Sequence, residues 1–471
     1  VSRRNDSDNK CGAGGTMGGK EAPGMQDDPG VVPTEGRSGM DRRTFLRRSG
    51  MGAGTLAVAG GVGALLSPEP VAAERAPAVL RRGRQQNVVV IGTGAFGVWT
   101  AYHLQKMGAT VSLVDLYGPG NSRSTSGDET RGIRTAYGDR TLWTDWASKS
   151  LARWKEFDAE YAPKMGHPVY FETGDLILRP EFDTFLQQTQ TTWEALGIQH
   201  ERLDVDEVRR RWPQFGLEGI GVGLYEPDAG VARARAAVRR VAQIVQDQGA
   251  PLHLGRATVG NQSGGRVSDI VLGEQGERVG GDIFVFALGP WFPKQFPEFM
   301  APRMRIPMGV VFYYGTPPGD HRFSHPNIPS WNFPGVTGWA NLPLDQRGFR
   351  VRSSGKPGDD PDTSVRWVAE ELHERSRGIL TERFPDMADA PILETRACHY
   401  ESTVTRDWII DRHPGLENVW IAGGGNAEGF KFGPMIGELI AGRVIGSEVH
   451  PDLVEEFRLR DEDLGPPPGE D

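Results

Sequence analysis

The chain has 471 residues, 38% of them apolar and 24% charged, with a formal charge of −9. That acidity, with no basic stripe interleaved with aromatics, excludes a nucleic-acid partner held by phosphate neutralisation. The length allows a large core shared between two domains, and no repeat at solenoid periods is present.

Residues 1–39 are rich in Gly, Ser, Asp and Pro and lack apolar periodicity. They are expected to be disordered, or to lie upstream of a true start at Met40. Residues 40–73 read as a twin-arginine signal peptide. They carry Arg42-Arg43-Thr44-Phe45-Leu46, a weakly apolar Gly/Ala-rich run from Met51 to Leu66, and Val71-Ala72-Ala73 for a signal peptidase. That run is interrupted by glycines and falls short of the about 20 strongly apolar residues of a spanning helix, so no stable membrane span is expected. Export to the periplasm or the medium is predicted. The twin-arginine route carries folded cargo and suits a protein that takes up a cofactor before departure. The two cysteines are Cys11 and Cys398, and processing after Ala73 leaves Cys398 as an odd thiol without a disulfide partner.

Asn87 to Ile91 is apolar after its first residue and suits a buried parallel strand. Gly92-x-Gly94-x-x-Gly97 follows at once and encloses Ala95 and Phe96, and a helical stretch to about Met107 comes next. A second apolar strand, Thr110 to Val114, ends at Asp115. This is the order of a dinucleotide fold. Gly92 permits the tight turn, Gly94 lets backbone approach a pyrophosphate, and Gly97 lets helix and strand pack closely. The helix N-terminus offers amides to the phosphates, and Asp115 is placed to accept from ribose hydroxyls.

Three further stretches carry a resemblance. They are YGPGNSRSTSGDETRGIRTAYGD from Tyr117 to Asp139, FVFALGPW from Phe284 to Trp291, and NVWIAGGGNAEGFKFGPMIGELIA from Asn418 to Ala441. Together they resemble the D-amino-acid-oxidase superfamily, within it the sarcosine, pipecolate and fructosyl-amino-acid oxidase group, over roughly residues 86–450. The resemblance implies FAD as cofactor. It assigns to FAD Gly92, Gly94, Ala95, Phe96, Gly97, Asp115, Ser124, Thr125, Ser126, Thr130, Arg131, Val259 (near the adenine), Gly289, Trp291, Gly424, Gly425, Gly429, Phe430 and Lys431. It also implies that Arg134 and Lys431 grip a substrate carboxylate, chemistry a guanidinium fork and an ammonium suit. The competing reading of the arginines is an ion-pair set with Asp128 and Glu129. ACHYESTVTRDWIIDRHP, from Ala397 to Pro414, resembles the stretch in which a cysteine forms a thioether to a flavin ring methyl, which makes Cys398 the expected attachment point. A free buried cysteine is the alternative.

The chain departs from the family at WANLPLDQRGFRVRSSG, where Trp339 falls on a tyrosine, Arg350 on the lysine that activates oxygen, and Ser354 on a histidine. Arginine keeps the charge but not the proton exchange. The expected class is α/β: a discontinuous Rossmann-type FAD domain from 86–168, 222–296 and 400–450, with a second α+β domain from 169–221 and 297–399 carrying an antiparallel sheet. Residues 451–471 form a tail with a disordered end. The ten histidines show no HExxH or paired spacing, so no metal is expected. The predicted activity is FAD-dependent oxidation of the C–N bond of an amine or N-substituted amino acid to an imine, with oxygen as acceptor. The alternatives are a dehydrogenase using another acceptor and a non-catalytic flavoprotein assembly factor.

Overall fold

The structure, a computed structural model, describes residues 85–460 except 359, 448 and 454, together with 464. The segment 1–39, the signal peptide 40–73, Cys11 and the rest of the tail from Asp461 lie outside the described residues.

The apolar run Asn87–Ile91 forms a central strand of a six-stranded sheet. The order across that sheet is Ile409–Arg412, Val419–Gly423, Ile283–Phe286, Asn87–Ile91, Thr110–Asp115 and Leu252–Leu254. All neighbours are parallel except the antiparallel pair Ile409–Arg412 and Val419–Gly423. Because side chains alternate along a strand, the central strand feeds two cores. Val88 and Val90 pack under the helices Ala95–Lys106, Ala234–Asp247 and Gly433–Ile445. Val89 and Ile91 face a small antiparallel sheet through Ala257, Ile270, Leu272 and Val279. A strand buried on both faces needs the uninterrupted apolar run seen here.

The second domain is an eight-stranded sheet in the order Ile392–His399, Met308–Tyr314, Phe349–Lys356, Val336–Trp339, Ser330–Phe333, Asp175–Arg179, Val222–Glu226, Glu201–Asp204. It is antiparallel apart from one parallel pair, Ser330–Phe333 with Asp175–Arg179, where two separate passes of the chain meet. Val222–Glu226 belongs to this sheet through its pairing with Asp175–Arg179, so the chain returns to the first domain after Glu226, not at residue 222. The helix Glu370–Arg383 covers one face with Leu380. No helix among the described residues is long and apolar enough to cross a membrane.

Candidate active site

Strand order dictates where a ligand can lie. The carboxyl ends of the parallel strands open onto a groove of about 320 Å³. Its walls follow the sheet across: Ala422, Gly423 and Gly425; then Ala287 to Trp291; then Ile91, Gly92, Gly94, Ala95 and Phe96; then Asp115 to Tyr117; then Gly255 to Thr258. Gly92 sits at φ +98°, and a Cβ there would lie 2.3 Å from the Ala287 carbonyl oxygen. A Cβ on Gly97 would come within 1.8 Å of the Gly92 oxygen. Helix and turn therefore touch backbone to backbone, which opens the mouth above Gly94. Gly94 caps the helix Ala95–Lys106 without a side-chain bond of its own; the Ala95 amide donates to the Ser126 hydroxyl at 3.2 Å, and the helix keeps its positive end at the groove, where an anion is favoured. Asp115 lines the groove, but both its oxygens are engaged: one accepts from the Thr93 amide and hydroxyl at 2.7 and 2.8 Å, the other from the Tyr117 and Gly118 amides at 2.8 Å. Ser124, Thr125, Ser126, Arg131, Gly289, Trp291, Gly429 and Phe430 line the groove as well. Gly97, Thr130, Val259, Cys398, Gly424 and Lys431 do not line it; at the far end Gly255 to Thr258 take the wall where Val259 was expected.

These walls fit a dinucleotide. The glycine cradle would be filled by any side chain, and the positive end of the helix that starts after Gly94 suits a pyrophosphate.

Beyond Phe430 the chain turns away from the groove. The Lys431 carbonyl accepts from the Ser150 hydroxyl (2.6 Å) and the Trp154 indole (2.8 Å), which pins this turn against the helix Thr141–Met165. The buried Lys431 ammonium donates to the Tyr137 hydroxyl (2.6 Å) and pairs with Glu428. Tyr137 donates onward to Glu428 at 3.0 Å, and Arg134 lies 3.6 Å from the other oxygen of the same carboxylate. The two cations expected to share a carboxylate do share one, and it belongs to the protein. Dehydration raises the Glu428 carboxyl, but Lys431 and then Arg134 outweigh it and hold it well below the ordinary range. Asp175 is 6% exposed, with one oxygen lacking any partner, and burial raises its carboxyl against the pull of Arg134 and Lys431. Glu226 accepts from the Thr135 amide and hydroxyl, and burial pushes it up to about 7.

A second charge cluster sits at Asp128, 1% exposed. Arg131 pairs with it, Arg350 lies at 3.5 Å and Arg396 at 3.9 Å, and the Tyr313 hydroxyl donates at 3.2 Å. The pairing of Arg131 with Asp128 matches the ion-pair reading, except that it is buried. Arg134 goes to Glu428 instead. Trp339 and Arg350 face each other across paired strands, with the guanidinium 3.9 Å from the centre of the indole ring, and the Trp339 indole donates to Thr130 at 2.9 Å. Arg350 is buried in this cluster and is absent from the groove wall. Among the described residues no group of three or more His, Cys, Asp or Glu could hold a metal ion.

The Cys398 thiol lies against the groove wall from behind. Its Sγ is 3.5 Å from the carbonyl oxygen of Ser124, a lining residue, and burial raises the thiol pKa. Sequence reasoning passed over Glu401, a buried carboxyl in the groove wall that burial lifts to about 7. It also passed over Glu428, Asp175, Glu226 and Tyr137. Two of these carried a signal. Glu428 is the lone acid between Trp420 and Lys431, and Glu401 follows Cys398 by three residues on a stretch otherwise entering the sheet.

Residues 87–443 match the family described as FAD dependent oxidoreductase. The chain is 25% identical over 392 residues to monomeric sarcosine oxidase of Bacillus sp. (strain B-0618), covering 78% of this chain and 94% of that one. It is 24% identical over 381 residues to N-methyl-L-tryptophan oxidase of Salmonella heidelberg (strain SL476), covering 79% and 98%. In fold it is similar to fructosyl amine:oxygen oxidoreductase (Amadoriase I) of Aspergillus fumigatus, with TM-score 0.70, 19% identity and coverage of 82% and 92%. It is similar too to iminodiacetate oxidase of Chelativorans sp. BNC1, with TM-score 0.65, 21% identity and coverage of 79% and 98%.

Proposed function

The chain belongs to the FAD-dependent oxidoreductase family, and within it we propose that the protein oxidises the C–N bond of a secondary amine to an imine, with oxygen as final acceptor. The carrying observation is that the groove wall at Gly429 and Phe430 runs directly into the buried cation at Lys431. A cofactor in the groove and a polar substrate at the cluster would then be neighbours. The relatives' names support the class, because sarcosine, N-methyltryptophan and iminodiacetate are all secondary amines.

FAD, when bound, supplies the two-electron acceptor. Gly92, Gly94, Ala95 and Phe96 would receive its pyrophosphate and Asp115 its ribose, while Arg131, Gly425, Gly429 and Phe430 would flank the ring. On the substrate side Glu428 and the Tyr137 oxygen offer acceptors to an amine N–H. Burial of Lys431 and Asp175 gives this region few waters and therefore strong electrostatics. Anaerobic mixing of the purified holoprotein with N-methyl amines tests the reading. Bleaching of the flavin is expected. Bound flavin that no amine reduces would overturn it and leave a non-catalytic assembly role.

A second reading, a dehydrogenase passing electrons elsewhere, is favoured by one observation. Arg350 is buried between Asp128 and Trp339, where it cannot exchange a proton. Hydrogen peroxide release with stoichiometric oxygen uptake separates the two.

Covalent attachment of the flavin through Cys398 is part of the proposal, supported by the thiol's place behind Ser124. So is export by the twin-arginine route, supported by Arg42 to Leu46. Replacing both Arg42 and Arg43 by lysine should strand the protein in the cytoplasm, and undiminished secretion would refute the route.

A further inference from the structure

Resting on the amine-oxidising reading above, we propose that Glu428 is the resident counter-ion of Arg134 and Lys431, and that the secondary amine this enzyme takes carries no carboxylate there.

The pairing is built by the backbone. Glu428 precedes the 3₁₀ turn Gly429–Phe432, in which residues three apart stand one above the other, so Glu428 and Lys431 face each other by construction. The turn is entered through Asn426 and Ala427, both left-handed at φ +49° and +58°. Ala427 gains nothing locally from that conformation, and strain of this kind persists where surrounding structure fixes it. The Glu428 amide then bonds the Gly425 carbonyl at 2.9 Å. The carboxylate is held from three sides: Lys431, the Tyr137 hydroxyl at 3.0 Å and Arg134 at 3.6 Å.

Arg134 and Lys431 bring two positive charges. Glu428 brings one negative charge, and Asp175, buried with a partnerless oxygen, adds a carboxyl whose ionisation burial opposes while Arg134, Lys431 and Arg179 favour it. Glu226 stands by as a further carboxyl. Both cations thus meet a carboxylate before any ligand arrives, and an incoming carboxylate would have to displace Glu428 from them. Exposure points the same way. The Lys431 side chain is 6% exposed, whereas that of Glu428 is 37% exposed, so the open side of the cluster presents an acceptor. An acceptor of that kind suits an amine whose substituents are uncharged or cationic.

The test uses holoenzyme and a matched pair, N-methylbenzylamine and N-methylphenylglycine, which differ only by a carboxylate on the oxidised carbon. Stopped-flow flavin reduction should favour the carboxyl-free amine at least tenfold in the wild type, and Glu428→Gln should narrow or invert that ratio. Independently of turnover, acetate should perturb the flavin spectrum at least tenfold more tightly in Glu428→Gln than in the wild type. A wild type that prefers N-methylphenylglycine, or acetate binding indifferent to Glu428, overturns the proposal. If neither amine bleaches a flavin that dithionite reduces, the amine reading itself fails, while the acetate arm still judges the counter-ion. Should Glu428→Gln lose its flavin, Glu428→Ala serves the same comparison; should both lose it, the wild-type ratio decides alone.

Discussion

Asp128→Asn isolates charge from shape. The amide oxygen still accepts from the Glu129 amide and from Tyr313, so packing and these hydrogen bonds survive. What is lost is the negative charge facing three guanidiniums. Arg350 suffers most: its side chain is 4% exposed, Asp128 is its ion-pair partner at 3.5 Å, and its Nε has no acceptor among the described residues. At that separation, with an effective dielectric of about 20, the pair is worth about 5 kcal/mol of Coulomb energy. The charge left behind in a site it cannot leave gives an expected loss of about 3–5 kcal/mol. Arg396 is cushioned by Glu129 at 3.6 Å, and Arg131 by the carbonyls of Thr125 and Thr130, so they add less. The assay is urea unfolding of wild type, Asp128→Asn, Arg350→Met and the double variant. Since the double variant no longer buries an unpaired guanidinium, it should recover more than half of the loss. A single variant within about 1 kcal/mol of wild type, or strictly additive losses, would refute the reasoning.

Gly97→Ala should abolish flavin binding, because the new methyl would sit 1.8 Å from the Gly92 oxygen, and backbone cannot rotate away as a side chain can. The absorbance ratio at 450 and 280 nm reads this, and a fully yellow variant would contradict it. Glu401 is lifted by burial to about 7, above its ordinary value of 4.5, so the folded protein binds more protons than the unfolded one between those values. Its contribution is therefore intact below about 4.5 and is lost as pH rises through about 7, by up to about 3 kcal/mol. Melting temperatures from pH 5 to 8 should fall more steeply in the wild type than in Glu401→Gln, and parallel curves would count against it. Cys398→Ala should release all yellow colour on acid precipitation while the wild type retains it in the pellet; identical supernatants would remove the thioether.

Local order was legible because it is written locally. The strand Asn87–Ile91, the glycines and the strand ending at Asp115 follow one another with no tertiary information needed. The pairing of Trp339 with Arg350 went unread, although only a single return separates their strands. What could not be read was long-range partnership. That Arg134 reaches Glu428, 294 residues on, rather than Asp128 or Glu129 nearby, depends on how the last strand is inserted into the sheet. The expected boundary at residue 222 puts Val222–Glu226 in the FAD domain for a related reason, since a short apolar strand fits either domain until its neighbour is known.

The groove has a consequence for biogenesis. Its walls come from residues 91–96, 115–131, 255–258, 287–295, 401 and 422–430, so five strand ends must be aligned before any of them encloses a ligand. Val419–Gly423 docks beside Ile283–Phe286, and the helix Gly433–Ile445 then packs onto the helix Ala95–Lys106. A ribosome-bound chain stalled before residue 430 lacks that wall, however well its N-terminal βαβ unit has formed. Loading thus waits for residue 430 to be made, and chains truncated before it are expected to emerge colourless.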